Sequence, residues 1–124
     1  MRYLLDTHAL LWALGSPGEL STETAQVLES DESSIYVSIA SLWECSIKSS
    51  IGKLNIPPEF YDVAAATFVV LPIEVGHLVA YPALPMHHRD PFDRMLVVQA
   101  RLGDLVLVTR DAHIKQYDVK VLEA

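Results

Sequence analysis

Short apolar runs alternate with stretches of helical period along this chain, and polar residues mark where each run stops. Arg2–Leu5 is one such run, suited to a buried strand and ended by Asp6. Ala9–Leu14 reads as a helix closed by Gly15-Ser16-Pro17-Gly18, since Gly and Pro punctuate helices. Ser21 opens a second helix, to about Ser30, in a capping-box-like arrangement with Thr24 in place of the usual Glu. The β-branched and aromatic run Ile35–Ser38 predicts a second strand, and Ser41–Ser50 a helix ending near Gly52. Pro57 and Pro58 open a helix through Ala66, Phe68–Leu71 makes a third strand, and Glu74–Tyr81 a short helix. A loop over Pro82–Arg89 leads to the helix Pro91–Leu102, stopped by Gly103. Leu105–Val108 is a fourth strand, Ala112–Gln116 a short helix and Lys120–Leu122 a final edge strand.

Such alternation predicts an α/β fold whose parallel sheet is covered by helices on both faces. Ligands of these sheets bind beyond the carboxyl ends of the strands, so residues just after each strand are where chemistry is expected. Asp6 follows Tyr3-Leu4-Leu5 directly, and Asp111 follows Val106–Arg110. Asp90 and Asp93 open the helix after the Pro82–Arg89 loop, and Glu44 lies in or near the first turn of the helix after the second strand. Each acid alone has a plain explanation as a helix cap or a first-turn acid, and Glu44 with Lys48 is an ordinary i,i+4 pair. Together they converge on one rim of the sheet. Crowded carboxylates raise one another's pKa and cost stability unless a cation neutralises them. An oxygen-rich cluster of this kind suits Mg²⁺ or Mn²⁺ rather than zinc, and such ions serve in-line phosphodiester cleavage.

Composition narrows the setting. The 124 residues suit one domain, 1–124. No apolar run reaches the length of a bilayer span, and Asp6 and His8 interrupt the apolar start, which argues against a signal peptide. Cys45 is the only cysteine, so no internal disulfide forms; a reducing cytoplasm fits and a packed thiol is expected. Nine basic and sixteen acidic residues give a net charge of −7, which opposes non-specific nucleic-acid binding. Divalent cations would offset that charge where the acids gather.

Four motifs resemble the PIN-domain family, and more narrowly the VapC-type toxins of bacterial and archaeal toxin–antitoxin pairs. They are Leu4-Leu5-Asp6-Thr7-His8, Ser41-Leu42-Trp43-Glu44, His88-Arg89-Asp90-Pro91-Phe92-Asp93-Arg94-Met95-Leu96, and Leu107-Val108-Thr109-Arg110-Asp111. The resemblance covers essentially the whole chain. It implies a three-layer α/β/α sandwich around a mainly parallel sheet of four to five strands. It also implies a Mg²⁺- or Mn²⁺-dependent endoribonuclease. Asp6, Glu44, Asp93 and Asp111 would hold the metal and position the attacking water, with Asp90 as a helix cap or peripheral ligand. Asp93 is preferred over Asp90 because the family's D-x-x-apolar helix start matches Asp93-Arg94-Met95-Leu96. Thr109 would be a supporting hydroxyl, and Arg94 and Arg110 either RNA phosphate contacts or solvated surface residues. The partners implied are an RNA substrate, a cognate antitoxin whose basic segment would suit the negative charge, and a second copy in a homodimer.

Other residues are read as structural. The five histidines make no zinc spacing with Cys45. His87-His88 is expected on a surface loop, Trp12 and Trp43 in the core, Met86 and Met95 as filler, and Asp31-Glu32 in a solvated turn. A receiver-type signalling domain would need an acid after the second strand, where Ser38 stands, and a haloacid-dehalogenase-like phosphatase would need an acid at position 8, where the residue is His. The remaining alternative is a catalytically silent PIN-like module that binds RNA or protein, against which the complete acidic quartet speaks.

Overall fold

Leu4 and Leu5 are neighbours on a strand and therefore face opposite ways, yet both are completely buried. The strand must lie between two layers. The computed structural model, which describes all 124 residues, has β1 (Arg2–Leu5), β2 (Ser34–Ser38), β3 (Val69–Leu71), β4 (Val106–Thr109) and β5 (Val121–Glu123). They form one five-stranded sheet, ordered β3-β2-β1-β4-β5 and parallel throughout. The helices are α1 (Thr7–Gly15), α2 (Thr22–Glu29), α3 (Ile39–Ser50), α4 (Phe60–Thr67), α5 (Val75–Ala80) and α6 (Pro91–Gly103). The fold is the expected α/β sandwich, and none of its helices is long and apolar enough to cross a membrane.

The two cores follow the two-residue period of the strands. Leu4 pairs in register with Leu107, and both join Leu96, Val97, Ala100, Ile114 and Tyr117 on one face. Leu5 pairs with Val37 and Val108, and these pack with Ala9, Leu10, Cys45, Phe60 and Ala64 on the other. Leu107 is fully buried, so Leu107→Ala is expected to cost about 3 kcal/mol by removing packed atoms beneath α6. Urea unfolding measures this, and a loss below about 1 kcal/mol would mean that the site collapses around the gap.

Several boundaries move by a few residues, each for a local reason. Ser21 caps α2 as expected, its Oγ accepting the Thr24 N–H at 3.1 Å; Thr24 does not complete a capping box but donates its hydroxyl to the Glu123 carbonyl at 2.7 Å. Pro57 and Pro58 precede α4, which begins only at Phe60. Gly103 closes the last turn of α6, and Asp104 takes the left-handed cap position (φ 51°), which Asp tolerates better than most side chains. The helix expected over Ala112–Gln116 is a single 3₁₀ turn, Ile114–Gln116.

The start of α3 matters more. Ser38 is its cap, with Oγ accepting the Ala40 N–H at 3.0 Å, so the helix begins at Ile39 rather than Ser41. Glu44 therefore stands in the second turn, and a first-turn role cannot account for it. The sheet order places β2 and β4 on opposite sides of β1. The chain thus reverses direction across the sheet between β1 and β4, and the crevice beyond the carboxyl ends of that pair is the binding position of open α/β sheets.

Candidate metal centre

Asp6 and Asp111 stand at that crevice, one after each of the two strands. The Asp6 N–H donates to the Val108 carbonyl at 3.0 Å, which joins the two strand ends. Asp6 caps α1, with Oδ1 accepting the Ala9 N–H at 2.8 Å. Asp111 Oδ1 accepts the His113 and Ile114 N–H groups at 2.7 and 3.2 Å. Asp90 caps α6, its Oδ1 accepting from the Phe92 and Asp93 N–H groups at 2.8 and 3.0 Å. The capping explanation is therefore real for Asp6 and Asp90, and Asp111 makes the equivalent local turn without capping a helix; each contact occupies one oxygen.

Glu44 and Asp93 cap nothing. Glu44 is buried; Oε1 accepts the Thr7 hydroxyl at 2.6 Å and Oε2 the Lys48 ammonium at 2.8 Å. That hydrogen bond raises the Lys48 pKa, with the Asp90 and Asp93 charges adding to the rise. Asp93 Oδ2 lies 3.0 Å from His88 Nε2, and Asp111 Oδ2 lies 3.2 Å from the same nitrogen. These three ligand-capable atoms fall within 4.8 Å of one another.

Electrostatics ties the acids into one group. Burial, then the Asp90 charge, pushes the Asp93 carboxyl up to about 7; His88 opposes the rise, and the Asp6 and Glu44 charges add to it. Burial also raises Asp6, although the Thr109 hydroxyl and the Ala9 N–H pull it back. Asp111 is the exception. Burial pushes it upward, but the Ile114 and His113 N–H groups together with His88 outweigh that and hold it below the ordinary carboxylate range. Thr109 is fully buried between the two strand-end acids: its Oγ1 accepts the Asp111 N–H at 3.0 Å while its hydroxyl serves Asp6. On the inward face of α3, one turn before Glu44, the Ser41 hydroxyl is buried without a hydrogen-bond partner. A set of carboxylates in which burial first, and neighbouring acids second, raise one carboxyl to about 7 fits a hard divalent cation.

Other expectations need correction. Arg94 is neither a phosphate contact nor a solvated residue. It is buried and donates to the carbonyls of Leu84, Pro85 and His88 and to the hydroxyls of Tyr81 and Tyr117. Arg110 lies over the Trp12 ring at 4.4 Å and donates to the carbonyls of Ala124 and Glu19, so its donors face away from the acids. His88 was expected on the surface, and its loop position gave no other sign. Its partners lie five and twenty-three residues away, and only folding reveals them. Trp43, expected in the core, is 58% exposed. The inward face of α3 carries Ala40, Ser41, Glu44 and Cys45, and Trp43 falls beside it, edge-on to Phe92 at 5.3 Å. Met86 is exposed, whereas Met95 does fill the core. Cys45 is a packed thiol pushed up to about 11, by burial first and then by the neighbouring Glu44 charge.

A parallel α/β sheet with carboxylates gathered at its switch point defines an acid-cluster α/β domain, and the chain belongs to the PIN domain family, whose pattern matches residues 3–120. Among solved structures it is similar to a chain of VapBC2 from Rickettsia felis, solved bound to a DNA fragment from the promoter. Identity is 17% over 99% of this chain and 98% of that one, with a TM-score of 0.75. It is likewise similar to a chain of FitAcB from Neisseria gonorrhoeae, at 18% identity over 99% and 97% of the chains and a TM-score of 0.65. A chain of FitAB bound to an IR36 DNA fragment matches at 18% identity over 98% and 94%, with a TM-score of 0.70. At these identities the likeness is one of fold. No curated protein matches the chain.

Proposed function

We propose that this chain is a metal-dependent endoribonuclease that uses Mg²⁺ or Mn²⁺ and acts as the toxin of a type II toxin–antitoxin pair. One observation carries the enzymatic reading. Glu44 and Asp93, two acids with no capping role, share the switch-point crevice with Asp6 and Asp111 and raise the cost of ionising the group. A fold gains nothing from such crowding by itself.

In this reading Asp6, Glu44, Asp93 and Asp111 hold the cation, and Asp90 stays the cap of α6. When bound, the cation polarises the phosphodiester and makes water a stronger nucleophile. The chain's own residues supply position. The cap of α1 fixes Asp6 and two backbone N–H groups fix Asp111 at the strand ends, Thr109 holds those two acids relative to each other, and Thr7 with Lys48 orients Glu44. Water attacks phosphorus in line with the departing oxygen, forming one P–O bond as the other breaks.

The toxin role draws on the resemblance to VapC-type sequences and on neighbours described as VapBC2 and FitAB. The partners proposed are a cognate antitoxin and a second copy of the chain. An apolar groove of about 340 Å³ beside the acids, lined by Trp43, Ile73, Leu78, Phe92 and Met95 among others, offers the exposed surface that such partners need.

Incubation of the purified protein with structured RNA tests the reading. Cleavage is expected with Mg²⁺ or Mn²⁺, is expected to stop in EDTA, and is expected to be lost in Asp6→Asn, which keeps the cap of α1. Cleavage that survives both chelation and this substitution would sink the mechanism. Tight RNA binding without cleavage under any of these metals would favour the silent module instead.

A further inference from the structure

His88 enters the acid cluster from a loop that three contacts hold in place. Its backbone N–H donates to the Tyr117 hydroxyl oxygen at 2.9 Å, and its carbonyl accepts from Arg94 at 3.4 Å. Its ring Nδ1 accepts the Asp90 N–H at 3.2 Å. The last contact decides the tautomer. With a donor directed at Nδ1, the proton of the neutral imidazole sits on Nε2. That nitrogen is the one 3.0 Å from Asp93 Oδ2 and 3.2 Å from Asp111 Oδ2. The two carboxylates belong to different elements, the first turn of α6 and the segment after β4, and this imidazole touches both.

We propose that His88 is a positioning residue: its Nε2–H donates to Asp111 Oδ2 while the same nitrogen stands 3.0 Å from Asp93 Oδ2, so the ring holds the two carboxylates together without His88 being a metal ligand itself. The proposal rests on the metal-dependent reading above. A ligating imidazole would present a bare lone pair at Nε2 and carry its proton on Nδ1, where the Asp90 N–H already points. Each carboxylate oxygen has two lone-pair directions, so one oxygen can accept an N–H and still face a cation. The remaining oxygen of Asp111 is held by backbone N–H groups, so the His88 contact fixes the only oxygen left for chemistry. Outer partners of ligating groups typically contribute 10- to 100-fold to metal affinity.

Calorimetric titration of the purified protein with Mn²⁺, and separately with Mg²⁺, is the test. His88→Ala is expected to weaken both ions by a similar factor, about 10-fold or more. His88→Gln, whose side-chain amide can donate to the same oxygens, is expected to restore most of that loss. The rise in melting temperature on adding Mn²⁺ gives a second readout that needs no activity and should follow the same order. A much larger loss for Mn²⁺ than for Mg²⁺, with no recovery by Gln, would make His88 a ligand and overturn the proposal, because imidazole suits the softer ion. Unchanged or tighter binding in His88→Ala would overturn it as well. A wild-type protein that takes up neither ion would remove the metal-dependent reading and this proposal with it, an outcome distinct from those seen in the His88 variants alone.

Discussion

Asp93→Asn is expected to reduce RNA cleavage by about three orders of magnitude or more under the proposed mechanism, since it removes a charge that would hold the cation and with it several kcal/mol of transition-state stabilisation. Growth arrest on expression of the chain should disappear with it. The substitution is clean because Asp90, not Asp93, caps α6, so the helix start survives. It should also stabilise the metal-free protein near neutral pH. The unfolded chain releases the Asp93 proton near the ordinary 3.8 and the folded chain only near 7. Between those values the folded state binds more protons, so stability falls as pH rises through the window. Thermal melting in EDTA from pH 4 to 8 should show that decline in the wild type and a flatter profile in the variant. A bound divalent ion should flatten the wild-type profile too, because it favours the ionised carboxylate. An Asn variant that keeps full cleavage would remove Asp93 from the mechanism.

Arg94→Met is expected to destabilise the fold by about 3 kcal/mol, the scale for stranding buried acceptors of a charged donor, with a fall in melting temperature of about 10 °C. Arg94 meets no carboxylate. Its charge is met by loop carbonyls, two tyrosine hydroxyls and the Tyr81 ring face at 4.9 Å. The same carbonyls belong to the loop that carries His88, so the Met variant should lose metal affinity as well as stability. Arg94→Lys should fall between the two, because one ammonium cannot serve acceptors arranged for a planar fork. A Met variant as stable as the wild type would show that water replaces the lost donors.

The strands and the order of the elements were legible because burial on both faces writes itself as short apolar runs, as Tyr3-Leu4-Leu5 and Val106-Leu107-Val108 do. Asp6 and Asp111 were legible for the same reason, since a strand end is visible without knowing what lies across from it. The structure alters how the acids weigh. Asp6 and Asp111, the two supported by position, each have a local structural role as well, Asp6 as the cap of α1 and Asp111 in a turn that accepts the His113 N–H. Glu44 and Asp93, which position alone did not single out, cap nothing. Glu44 looked like a first-turn acid only because Ser38 was not recognised as the cap of α3. The misreading of Trp43 shares that origin: the inward face of α3 is partly polar because it borders the acids, so apolar periodicity points the wrong way. Arg94 and His88 depend on contacts across the loop, and no local pattern encodes them.

The sheet order also governs when the site comes into being. β1 is central, yet its neighbour β4 follows about a hundred residues later in the chain. Domains fold as their segments leave the ribosome, and here a partly synthesised chain that has already exposed Asp6 and Glu44 still lacks the strand that seals β1 and the acid that follows it. With the proposed acids, the site is complete only once translation has passed β4 and Asp111, which leaves an interval in which a partner already present can be waiting.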